Sequence, residues 1–185
     1  MHLPLQKLKA LILYFCECTN PKYLGKTKLL KLFYFLDFGC VKKYGYPITY
    51  DQYYKLEHGP IPTVIKNMID DLDSYEASSV TMLGDIISIK KDDKIHRIKP
   101  KRKLAENEME IFSKKELDLI KMVCSKFKNS STKEIEDVSH QGIWRYVEMG
   151  EKIPYELAAE EKDCEVPKSM IRLALDIHYG GCKAS

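Results

Sequence analysis

The chain has 185 residues, 44% apolar and 31% charged, which is the balance of a globular protein rather than a disordered one. Its 30 Lys and Arg against 27 Asp and Glu leave a net charge of +3, too slight to argue a nucleic-acid partner from the total. That length buries a core without staples and makes one domain over 1–185 the default, with room for two small ones.

Residues 3–17 place Leu5, Leu8, Leu11, Ile12 and Phe15 at helical spacing, which predicts an amphipathic first helix. The stretch TNPKYLGK breaks it. Thr27 can cap a second helix that runs to about Lys43 and stops at Tyr44-Gly45. That helix is apolar almost all round, which suits the centre of a bundle. Its run LLKLFYFLDFGCV at 29–41 is well short of the ~20 residues that span a bilayer, so no transmembrane segment is expected. The run also carries two charges, Lys31 and Asp37. Six residues apart is about 600° of rotation at ~100° per residue, so the two project from different faces and cannot pair. Each must reach solvent, find another partner or face a groove, and Lys31 is expected to snorkel.

Residues 50–58 are expected to form a short third helix and 61–72 a fourth, with KLEHGPIP as a rigid corner between them. There, His58 would cap open carbonyls at a helix C-terminus rather than serve as a general base. Gly59 would end the helix, Pro60 forbid its continuation and Pro62 restart one in its first turn. DIISIKKDDKIHRIKP, between about 80 and 99, sets β-branched residues around a Lys-Asp-Asp-Lys turn and predicts a two-stranded hairpin. KPKRKLAENEME reads as a polar loop. In FSKKELDLI, Ser113 is an N-cap, Glu116 its reciprocal partner and Phe112 a staple to Leu117, for a helix to about Phe127. Ser131 and Glu134 repeat the box in SSTKEIEDVSH. A last helix starts near Pro167 and ends before Gly180-Gly181, about 167–179. The fold class is therefore mainly α: a bundle-like single domain around a central apolar helix, with a small inserted β-hairpin.

The common catalytic signatures are missing: GxGxxG, the P-loop, HExxH and GxSxG. Five histidines are spread along the chain with no pair at metal-ligand spacing. Six cysteines, at 16, 18, 40, 124, 164 and 182, form no CxxC pair and are expected to be reduced thiols in a cytosolic protein. No catalytic residue, metal or cofactor is expected. A Cys-His dyad formed in space, in a metal-free hydrolase, is the enzymatic alternative. Lys90, Lys91, Lys94, Arg97, Lys99, Lys101, Arg102 and Lys103 stand against only Asp92 and Asp93, a run that could bind phosphates or an acidic protein. It lacks interleaved aromatics to stack on bases, and a solvated hairpin explains it as well. Trp144, the single tryptophan, is expected in the core. Twelve tyrosines, several at 44–54, favour a binding surface.

The segments KLLKLFYFLDF…GYPITYDQYYKLEHGPIPTVI, RIKPKRK…FSKKELDLI and VSHQGIW…IPYE, in this order and spacing, resemble the Panacea, or SocA-like antitoxin, domain. The resemblance runs from about residue 8 to 158 and falls on Lys28, Leu29, Lys31, Leu32, Tyr34, Gly45, Pro47, Glu57, His58, Gly59, Pro60, Ser139, His140 and Trp144. It implies a non-enzymatic cytoplasmic antitoxin that neutralises a cognate protein toxin by sequestering it or presenting it to a protease or chaperone. The family also includes phage-associated proteins of other role. Some relatives carry a DNA-binding domain ahead of this one; the chain starts too close to the match to hold one, so autoregulation on DNA is not expected. Lys31, Tyr34, Glu57, His58, Gly59, Pro60 and Trp144 are the expected partner-binding residues. The alternative is a nucleic-acid-binding regulator using Lys90, Lys91, Arg97, Lys101 and Arg102. No membrane is expected as a partner, and a homo-oligomer is left open.

Overall fold

A computed structural model of the protein describes residues 4–74, 82–92 and 95–180. Six α-helices lie among them: α1 (Leu5–Cys18), α2 (Lys26–Tyr44), α3 (Thr63–Ser74), α4 (Lys114–Phe127), α5 (Thr132–Ser139) and α6 (Lys168–Gly180). Five short strands form two antiparallel sheets. β1 (Tyr53–Leu56), β2 (Gly59–Pro62) and β5 (Lys152–Ile153) are ordered β2-β1-β5, and β3 (Ile87–Asp92) pairs with β4 (Ile95–Pro100). The fold is mainly α with a minor β part.

α2 is the axle. Leu29, Leu32, Phe33 and Leu36 enter one core with α1, α3, α4 and the β3–β4 hairpin. Tyr34, Phe38 and Val41 enter a second core with Tyr53, Ile143, Tyr155 and Leu175. A helix buried on two sides must be apolar nearly all round. It ends as expected at Gly45, whose φ of 87° and N–H bond to Val41 make a left-handed cap. It starts one residue before Thr27: Gly25 is the N-cap, fixed by a bridge to Arg97 of β4. Ser113 with Glu116 and Ser131 with Glu134 both form reciprocal capping boxes. Pro167 lies just outside α6, its carbonyl accepting from Ile171.

The β3–β4 hairpin forms in the expected place, with Ile89 opposite Ile98; Asp93 and Lys94 of its Lys-Asp-Asp-Lys turn lie outside the described residues, as do Gly181 and Cys182. Residues 50–58 and the corner are a correction. Tyr53–Pro62 is a β-hairpin with Glu57-His58 as its turn, and no helix precedes it. Gly59 takes φ 92° while Glu57 and His58 keep negative φ, the pattern of a type I turn that rejoins its strand through one left-handed residue. Thr63 N–H bonds to Gln52 O at 2.9 Å, which fixes the alternation. Pro60 and Pro62 then occupy positions whose N–H would point away from β1, at the edge of the sheet, where proline forfeits no ladder bond. That is why the two prolines stand one residue apart.

The cysteines hold another correction. Cys18 at the end of α1 and Cys124 on α4 are joined as a disulfide, with Cα atoms 6.2 Å apart. They are 106 residues apart in sequence, and only α1 packing on α4 brings them together. Cys16, Cys40 and Cys164 are free thiols.

Candidate functional site

Lys31 does not snorkel. Its side chain is fully buried, and Nζ donates to the Pro60 carbonyl at 2.9 Å. Pro60 is a position whose carbonyl turns away from β1, so the sheet edge faces α2 and the lysine bonds to it. Burial pushes the Lys31 ammonium down to about 7, with Glu136 opposing the shift.

Gly59 is hemmed in beside this contact. A Cβ there would sit 2.6 Å from Ser139 Oγ, 3.0 Å from Lys31 Nζ and 3.1 Å from His140 Cδ2. Glycine is required for its positive φ and for lack of room. Ser139 Oγ donates to the Glu136 carbonyl at 2.8 Å within α5. The His140 ring lies 4.5 Å from that of Trp144, and the Lys55 ammonium sits 3.9 Å over the Trp144 ring. Across the hairpin tip, His58 Nδ1 approaches Glu136 Oε1 at 3.7 Å. Burial and the Lys31 charge lower the His140 pKa. His140 Nε2 and Trp144 Nε1 are buried with no hydrogen-bond partner among the described residues.

The expected partner-binding residues thus divide. Glu57 and His58 are exposed at the tip, and Trp144 is half-buried at the edge of the second core rather than inside it. Lys31, Gly59 and Pro60 are buried beneath that tip. Tyr34 is apart from them, buried among Phe38 and Tyr53. Sequence reasoning singled out neither Lys55 nor Glu136, for they belong to no motif and enter only through the approach of β1 and α5.

A second polar centre fixes the path into the hairpin. Asp37, fully buried, accepts from the N–H groups of Ile48 and Thr49 at 2.9 Å each, the Tyr53 hydroxyl at 2.9 Å and, at 3.3 Å, the Tyr155 hydroxyl, which shares its one proton with the Asp51 carbonyl at 2.8 Å. The Thr49 hydroxyl also donates to it. Burial pushes the Asp37 carboxyl up to about 6 against the pull of these donors. Asp51 caps α3 from outside it, accepting from Val64 at 3.0 Å and Ile65 at 2.9 Å.

Of the five residues of the nucleic-acid alternative, Lys90 and Arg97 stand opposite each other on the β3–β4 hairpin, and several of the five make contacts within the chain. Arg102 makes two 2.6 Å bonds to Glu108, Lys101 donates to the Gly84 carbonyl at 2.6 Å, and Arg97 donates to the Lys22 carbonyl. Lys91 lies 3.9 Å from Asp73, and Lys90 is exposed on β3.

Beside the hairpin cluster runs a groove of about 570 Å³, floored by Tyr34, Phe35 and Phe38 of α2. α4 walls one side; residues 138–143 wall the other, and Glu161, Asp163 and Glu165 stand at one end. Among the described residues, no three or more His, Cys, Asp or Glu are grouped to hold a metal, and no helix is long and apolar enough to cross a membrane.

A family model, antitoxin SocA-like, Panacea domain, matches residues 29–145. The chain belongs to this family. Nothing among curated proteins or solved structures matches it. The Panacea match opens in α2 and closes one residue after Trp144, so it encloses Lys31, the hairpin, Ser139 and His140. Those positions scatter over more than a hundred residues and meet around one glycine. In this Panacea domain the motif marks a packing node that supports an exposed tip.

Proposed function

We propose that this chain is a non-catalytic antitoxin that binds and neutralises a cognate protein toxin, in the cytoplasm. Membership of the SocA-like antitoxin family carries the proposal. The geometry supports it. The buried clamp from Lys31 to Pro60 holds the hairpin tip rigid, and rigid display lowers the entropy lost on binding. Leu56, Tyr146 and Met149 are 39%, 56% and 58% exposed around that tip. Lys55 ties their segments together, its N–H bonding to Glu151 O at 2.9 Å and its carbonyl to Gly150 N at 2.8 Å. Exposed Tyr and Met beside a half-buried Trp compose a surface of the kind partners bury. The Ser139 hydroxyl supports a packing role, donating to the Glu136 carbonyl within α5.

Glu57, His58 and Trp144 touch the toxin in this proposal, while Lys31, Gly59 and Pro60 support them. Sequestration and presentation to a protease or chaperone both begin with this binding. The test is co-expression with the polypeptide encoded beside this chain. Growth arrested by that polypeptide alone and restored by the pair supports the proposal. A harmless neighbour, or a toxic one that this chain neither binds nor rescues, overturns it.

A further inference from the structure

We propose that the groove over α2 is the seat of a short amphipathic helix of the toxin, docked with its N-terminus at the Glu161–Glu165 end and its C-terminus at Lys126. This rests on the antitoxin assignment above and names the element of the partner that the domain holds.

The hairpin tip alone is too small an interface. A stable complex buries about 800 Å² per partner, and the tip offers a few side chains. The groove adjoins it. Residues 138–144 separate the two, presenting Ser139, His140 and Trp144 to the cluster and Val138, Gln141 and Ile143 to the groove. A toxin on the tip therefore reaches the groove without crossing other surface.

The shape selects a helix. The floor is apolar and aromatic, with Phe35 its half-buried ring and Tyr34 and Phe38 showing only an edge at 4% and 2% exposure; Gly39 lets Leu119 of α4 close against it, since a Cβ there would lie 3.4 Å from a Leu119 methyl. From Phe35 to Lys43 the groove follows nine residues of α2, a rise of roughly 12 Å at ~1.5 Å per residue. That length takes about two turns of helix, with anchors at i and i+3 or i+4. Met122, 54% exposed on the α4 wall, supplies an adaptable contact at the lip.

The ends select the direction. At one end the ammonium of Lys126 lies over the rings of Phe35 and Phe127, at 5.9 and 5.2 Å, and no carboxylate lines the groove there. At the other, the lining holds Glu161, Asp163 and Glu165 with Lys42 and Lys43, three carboxylates to two ammoniums. Lys42 already bridges Glu161 at 3.0 Å and Asp163 at 2.7 Å. A helix carries partial positive charge at its N-terminus and negative charge at its C-terminus. Laid along this groove with its N-terminus at the acidic end, it meets the opposite sign at both ends.

The probe is the toxic polypeptide encoded beside this chain, titrated against wild-type and variant proteins of unchanged circular dichroism and melting temperature. Met122→Glu and Lys126→Glu should each weaken binding at least ten-fold. Leu173→Glu, in the exposed Met170–Leu173–Ile177 stripe of α6, should leave it unchanged. A photo-crosslinker at position 126 should mark the C-terminal end of one toxin helix, and one at 165 its N-terminal end. Wild-type affinity for both groove variants overturns the proposal while leaving the antitoxin assignment standing. Crosslinks to non-helical toxin segments, or in reversed order, overturn the helix or its direction. If the chain alone forms a dimer that Met122→Glu dissociates, the groove belongs to a second copy and the proposal is wrong. A neighbour that wild-type protein does not bind removes both assignments together.

Discussion

Lys31 Nζ and the Pro60 carbonyl meet at 2.9 Å, with no exposed surface on the lysine. A charge so placed titrates abnormally: burial brings it to about 7 from an ordinary 10.5. Its sign is definite. Below about pH 7 both folded and unfolded chains hold the proton, and the cost of burying the charge is felt in full. Between about 7 and 10.5 the unfolded chain holds more protons than the folded one, so stability gains with rising pH. Wild-type protein should therefore gain stability relative to Lys31→Met as pH rises from 7 to 9. Urea unfolding at several pH values measures the difference; a constant offset across that range rules out titration of Lys31 there.

Gly59 and His58 are adjacent but should respond very differently to substitution. Gly59→Val puts a branched side chain at φ 92° and into Ser139, Lys31 and His140. Strain and overpacking together should cost on the order of 2–4 kcal/mol. His58 is exposed in the turn, so His58→Asn should stay within about 0.5 kcal/mol. Thermal unfolding compares them directly. Comparable losses from both would show that His58 bears structural weight the hairpin does not assign to it.

Local rules carried the sequence reading where structure is local. The boxes at Ser113 and Ser131, the Gly45 stop and the β3–β4 hairpin all lie in short windows. The reading failed at 50–62, where Gly-Pro fits a helix stop and a strand edge equally well. What decides is the partner: β1 pairs with β5 across nearly a hundred residues, and α2 supplies Lys31 to the open edge. Burial of Lys31 was illegible for the same reason, since snorkelling is the better choice until an acceptor is known. The family positions were legible as a pattern, but their meeting at Gly59 was not.

The disulfide between Cys18 and Cys124 closes a loop of about a hundred residues. Mass spectrometry of non-reduced protein should find a peptide pair joining these two cysteines. Cys124 is 3% exposed, so isosteric Cys124→Ser tests the link without a large cavity. Loss of a link of this span costs up to about 4.7 kcal/mol in a chain-entropy account. At ~2–4 °C per kcal/mol for a chain this long, melting should fall by up to roughly 10–20 °C. Reductant should lower wild-type melting and leave Cys124→Ser unmoved. Equal sensitivity of the two proteins, or recovery of every thiol from untreated material, contradicts the cross-link.

Asp37 is the more severe test of how the hairpin is held. Its carboxylate takes two backbone N–H groups and hydroxyls from Thr49, Tyr53 and Tyr155. Asp37→Asn keeps the size but turns half of the acceptor into a donor, which must face hydroxyls or N–H groups that also donate. A buried network broken on one side costs about 3–5 kcal/mol, well above the median substitution. The pH dependence gives a second readout. Burial raises the folded pKa to about 6 from 3.8, so the folded chain binds the extra proton between these values. The associated stability is full below about pH 3.8 and is lost as pH rises through about 6. Wild-type protein should thus lose stability across pH 4 to 6 relative to Asp37→Asn, which has no proton to release. Equilibrium unfolding of both proteins over that range decides it. An Asn variant of wild-type stability would mean that Ile48, Thr49 and the two tyrosines do not depend on the charge, and that the turn into the hairpin is held by its apolar contacts alone.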